Sequence, residues 1–129
     1  MSTELMPAPS EFTTANLIFK FLEASLSTVP FHRDSPAITR LIADRFPMHL
    51  AIHEVRTVTQ SPEPYTLPHV HDDEDEINII LSTGYLKYSI MLADEYHTVT
   101  ANSSIYIPRG MLHSANVIGG FGFFITLRF

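Results

Sequence analysis

Cysteine is absent from all 129 residues. That excludes disulfides, thiolate metal sites and cysteine nucleophiles, and it makes a cytoplasmic protein the default expectation. Tryptophan is absent as well, so nine Phe and five Tyr supply the aromatic bulk. Basic residues number 8 against 14 acidic ones, a formal net charge of -6, and the Lys and Arg are scattered. Nucleic-acid binding needs them clustered, so no nucleic-acid partner is expected. No apolar run reaches the length of a membrane span, and Met1 to Glu11 is polar and Pro-rich without a basic leader, so no membrane association is expected. What remains is 45% hydrophobic, enough for a core, in a chain of one-domain length.

Residues 1–11 read as a flexible N-terminus. After them, Leu17, Phe19 and Phe21 alternate as in a strand that covers the rest of the fold or pairs with a second subunit. Ser35-Pro36 offers a hydroxyl N-cap followed by proline at the first helical position. Ile38, Leu41, Ile42 and Arg45 follow at helical spacing, which predicts a short helix over 36–46, ended by Pro47. Residues 12–47 thus read as an N-terminal strand and short helix packing on a β domain at 48–129. Within that domain, strands are predicted at 48–59, 77–81, 85–92, 96–100, 103–107, 112–118 and 121–129. The breaks include Ser61-Pro62-Glu63-Pro64, Ser82-Thr83-Gly84, Ala101-Asn102 and a Gly119-Gly120 turn. Short strands so regularly punctuated, with no internal repeat, indicate one all-β sandwich or barrel.

The chemistry-bearing residues concentrate in two places. One is His69-Val70-His71 followed by Glu76; the other is His113, at the end of Pro108-Arg109-Gly110-Met111-Leu112-His113. Residues two apart in a strand share a face, so His69 and His71 project together. Glu76 breaks that parity, and a turn in the acidic run Asp72 to Glu76 must reset it. Glu76, Asn78 and Ile80 then share one face, which sets Asn78 beside the site. Three imidazoles and a carboxylate are a full donor set for a divalent transition metal. An octahedral ion would keep two positions for water, dioxygen or a chelating substrate, whereas tetrahedral zinc would be closed by the protein alone.

This pattern resembles the cupin superfamily. His69, His71, Glu76 and Gly84 occupy the places of its first motif, and Pro108, Gly110 and His113 those of its second. Asn102 stands for the leading glycine of the second motif, Asn116 arrives one residue early, and Glu63 replaces the glycine that opens the first. The resemblance covers about residues 48–129. It implies an all-β double-stranded β-helix (jelly-roll) barrel, here with a short N-terminal helix. It also implies that His69, His71, Glu76 and His113 hold one divalent metal ion per chain, with Fe, Zn, Mn or Ni as candidates. The reaction stays open, because such barrels host dioxygenases, isomerases, cyclases, lyases and decarboxylases, and also proteins that only bind a ligand.

The expected function is a metal-dependent enzyme acting on a small organic substrate, with the metal as Lewis acid or dioxygen activator. The alternative is a non-catalytic metal- and ligand-binding barrel. Asn78, Tyr106 and His53 are the candidate catalytic residues. Tyr88 and Met91 are further pocket candidates, although they lie on opposite faces of one strand. The last strand sets Phe121, Phe123, Ile125, Leu127 and Phe129 on one face and Phe124 and Thr126 on the other. Both faces are apolar and a barrel wall has one inner face, so a homodimer is expected.

Overall fold

The computed structural model describes residues 13–129; the expected flexible N-terminus at 1–11 lies outside them. Among the described residues eight strands follow one another: β1 (Phe21–Glu23), β2 (Ile38–Ala43), β3 (His49–Val58), β4 (Glu76–Leu81), β5 (Leu86–Leu92), β6 (Glu95–Thr100), β7 (Ser103–Ile107) and β8 (His113–Arg128). Every pairing is antiparallel. The sheet order is β1-β2-β3-β8-β4-β7, with β5 also on β8 and β6 on β5.

The expected helix over 36–46 is a strand. Among the described residues the helical pieces are 3-10 turns at Thr14–Leu17 and Leu26–Thr28. Ser35 still makes a local turn, its hydroxyl accepting from the Ala37 N–H at 3.3 Å. The chain beyond it extends, because β-branched Ile38, Thr39 and Ile42 suit a pleated surface and β1 and β3 pair with it on both sides. Ile38 and Arg40 point inward at period two. Arg45 leaves the pattern altogether, in a turn with φ 60.

β8 organises the molecule. Its first half pairs with β5, from Leu92↔His113 to Leu86↔Gly120. Its second half runs between β3 and β4, with Phe124 opposite both His53 and Ile80. The Gly119-Gly120 turn expected from sequence is therefore a bend inside one 16-residue strand. The bend requires glycine: at Gly120 (φ +98) a Cβ would lie 2.0 Å from the Tyr85 carbonyl oxygen, and at Gly122 (φ +143) 2.2 Å from that of Leu81. The core fills the end of the barrel beneath this bend, with Ile38, Val55, Ile80, Leu86, Tyr88, Ile90 and Val117 almost fully buried. The opposite end is left for polar side chains.

Candidate metal centre

Strand register places the site. Residues paired across neighbouring strands share a face, and β3, β8 and β4 stack three inward rows. The outermost is His49–Arg128–Glu76, the next Ala51–Thr126–Asn78, and the deepest His53–Phe124–Ile80. β2 adds Arg40 beside His53. The other wall begins with His113 at the start of β8. A two-way backbone bridge of 3.0 Å each joins His113 to His69, just before the acidic loop. Asn116 fixes the approach to this segment, its side-chain oxygen accepting from the N–H groups of Tyr65 and Thr66 at 2.8 and 2.9 Å. The Gly110 N–H donates to the His71 carbonyl at 2.8 Å. Asp75 closes the loop by accepting from the Tyr106 hydroxyl and from the Arg109 backbone N–H and Nε. These contacts, the Tyr106 hydroxyl first, hold the Asp75 carboxyl down to about 2.

His69, His71 and His113 converge, with one ring nitrogen of each within 4.8 Å of the others. Glu76 reaches two of them, its oxygens 3.5 Å from His71 Nε2 and 3.6 Å from His113 Nε2. His69 Nδ1 lies 2.8 Å from the Leu67 carbonyl and His113 Nδ1 2.9 Å from that of Met111. A carbonyl only accepts, so both Nδ1 atoms carry hydrogen, and both Nε2 lone pairs are left for the site. Asn78 is buried and donates to Glu76 at 2.9 Å, which aims the carboxylate. Burial lowers the pKa of His69, and that of His71 to about 4, so both rings are neutral donors near pH 7. Burial acts against ionisation of Glu76 too, but positive charge on the His113 side (a proton when no ion is bound) and the Asn78 amide outweigh it and keep the carboxylate charged.

The residues fit a divalent ion. His113 Nε2 is buried with no hydrogen-bond partner, and such an atom costs about 1–3 kcal/mol unless something satisfies it. A cation bound by three imidazoles and Glu76 would do so while balancing part of its charge.

These groups line a cavity of about 320 Å³. Its floor includes Phe124, with Tyr88 stacked beneath at 4.6 Å between ring centres. His53 lines the cavity, with Nδ1 3.3 Å from the Tyr65 hydroxyl, itself 3.0 Å from that of Tyr88. Burial drives the His53 pKa down to about 3, so its ring is neutral. Asn78 also lines the cavity, but Tyr106 does not: Ile105 and Ile107 take the inner positions of β7, and Tyr106 is 54% exposed on the outer face. Met91 is buried away from the cavity.

Among the lining residues that sequence reasoning missed are His32, Arg40, His49 and Arg128. Parity signals three of them, since His49 precedes His53 by four, Arg128 follows Phe124 by four, and Arg40 faces inward once β2 is read as a strand. Phe31 adds a rim, its ring parallel to that of His69 at 5.5 Å.

No protein-family description matches this sequence, and no curated protein does. Solved structures do match. KdgF from Halomonas sp. aligns with a TM-score of 0.57 at 16% identity, over 79% of this chain and 86% of that one. An RmlC-like cupin from Shewanella frigidimarina aligns at 0.55 and 12% identity, over 85% and 92% of the two chains. Hydroxypropylphosphonic acid epoxidase from S. wedmorenis aligns at 0.54 and 12%, over 85% of this chain and 56% of that one. At such identities the likeness speaks for architecture alone. The antiparallel strands folded over on β8, with the polar end of the barrel facing a cavity, and these structural neighbours agree that the chain is a small cupin-fold domain.

Proposed function

We propose that this chain is a metal-dependent cupin enzyme acting on a small organic substrate held in the 320 Å³ cavity. One observation carries the reading. Three imidazoles and a carboxylate meet at the wall of a cavity of ligand size, with the His113 Nε2 left for a cation to satisfy. His69, His71, Glu76 and His113 would hold one iron, zinc, manganese or nickel ion. When bound, that ion would supply Lewis-acid polarisation of a substrate oxygen, or a place for dioxygen if it is iron.

The chain's own residues do the rest. Asn78 keeps Glu76 in its ligating orientation. Phe124 and Ala115 give the substrate an apolar seat, and Phe31 and Val70 stand at the rim. His53, neutral and backed by the Tyr65 and Tyr88 hydroxyls, offers the substrate an uncharged hydrogen-bonding ring. Both hydroxyls stay protonated, because burial raises the pKa of each well above the usual phenol range.

Elemental analysis of protein purified without added metal tests the site. The expected result is about one divalent ion per chain, lost in His71→Ala and His113→Ala variants that retain the β-sheet circular dichroism of the parent. Unchanged metal content in both variants would overturn the reading. Oxygen-uptake assays on catechols, diketones and thiols then separate the chemistries: uptake assigns an oxygenase, and none favours a redox-neutral cyclase, isomerase or lyase, or a barrel that only binds its ligand.

A further inference from the structure

We propose that Arg40 and Arg128 form an oxyanion-binding pair inside the cavity, so that the substrate carries a carboxylate or phosphonate group. The inference rests on the metal-site reading above and names the substrate class for it.

Arg40 is only 9% exposed, yet it makes no side-chain hydrogen bond and no ion pair among the described residues. Arg128 likewise pairs with no carboxylate there, and its Nε is buried without a partner. Two guanidinium groups that line one cavity with no carboxylate to pair with repel each other, and an anion entering the cavity would relieve both. Of the lining residues Glu76 alone is acidic, and it is committed to Asn78, His71 and His113. The chain as a whole is at -6, so the cationic interior runs against the overall balance.

The contact that Arg128 does make points the same way. Its Nη1 lies 3.0 Å from Nδ1 and 3.1 Å from Nε2 of His71. A guanidinium only donates, so it uses the single acceptor of a neutral imidazole. Once His71 ligates an ion through one nitrogen, the other carries hydrogen and accepts nothing. Arg128 must then donate elsewhere in the cavity. A substrate with one oxygen on the metal and an oxyanion beside it would answer that need, since a guanidinium binds both carboxylate and phosphonate bidentately.

Isothermal titration calorimetry tests this with three probes of similar size: lactate, its neutral isostere lactamide, and hydroxymethylphosphonate. Metal content is measured separately on each sample. Lactate or hydroxymethylphosphonate is expected to bind at least roughly tenfold more tightly than lactamide, the stronger of the two naming the oxyanion. Arg40→Gln is expected to shrink that preference about tenfold with metal content unchanged, and Arg40→Lys to restore part of it. Equal binding of all three probes to metal-loaded protein would overturn the proposal, as would an Arg40→Gln protein with the parent's preference. If the wild type takes up no metal, the site reading fails on its own, and the arginine pair must still favour the anions in the metal-free protein or fall with it.

Discussion

At the scale of single residues, the convergence of His69, His71, Glu76 and His113 was legible because its signal is spacing. A His-x-His pair survives any reading of the neighbouring loops, and Glu76, Asn78 and Ile80 keep their shared face whatever turn precedes them. Arg40, Arg128, His32 and His49 were harder to read: parity puts three of them on one face, but arginine and histidine belong to the surface by default, and only tertiary pairing tells which face is the inner one. Tyr106 shows the converse error: an aromatic residue near a motif reads as pocket, yet its position in β7 turns it to solvent, where its hydroxyl holds Asp75. Two outcomes belong here. Asn78→Ala removes the donor that aims Glu76, so metal affinity is expected to fall about 10–100-fold in competition with a chromophoric chelator. His53 has its pKa lowered from 6.5 to about 3 by burial. The unfolded chain therefore takes up that proton first as the solution is acidified. Its contribution to stability is intact above about 6.5 and is lost as pH falls towards about 3. In chelator-treated protein, His53→Gln is expected to remove up to ~1.4 kcal/mol per pH unit from the slope of unfolding free energy between pH ~6 and ~4, read by urea titration.

At the scale of elements, strand existence from 48 onward was readable and strand continuity was not. A Gly-Gly pair between apolar runs has the composition of a turn, and only the close approach of Tyr85 and Leu81 explains why glycine stands inside β8 instead. The 36–46 segment failed for a related reason. Ser-Pro is an equally good start for a helix or a turn, and a six-residue strand offers too few positions for period two to defeat helical spacing. Gly120→Ala is expected to cost about 2–4 kcal/mol, because its Cβ would meet backbone and not a side chain that can swing aside. The midpoint of urea unfolding should fall accordingly. A midpoint unchanged from the parent would mean that the strand can re-route at this corner.

At the scale of the whole molecule, an apolar patch stands on the outer wall where β4 meets β8. Leu81 and Phe123 are register partners there, Phe121 packs over Gly84, and Tyr85 lies alongside; each of the four large side chains is 40–53% exposed. We propose that a second copy of the chain covers it. Sedimentation equilibrium at micromolar concentration should give twice 14.6 kDa, and Phe123→Glu should return the single-chain mass with an unchanged circular dichroism spectrum. A wild type sedimenting as one chain would remove the proposal.

β8 has a consequence beyond holding the sheet together. His113 at its start and Arg128 at its end both reach the cavity and both approach His71, although the strand between them is 16 residues long. The strand is a bow whose two tips are drawn together at the same point. An ion bound by His113 at one tip and by Glu76, the register partner of Arg128, beside the other would act as a clasp across the open side of the bow, and its removal would let the tips part first. Amide protons of β8 near both tips should then exchange faster on chelation, while those at the glycine corner keep their protection.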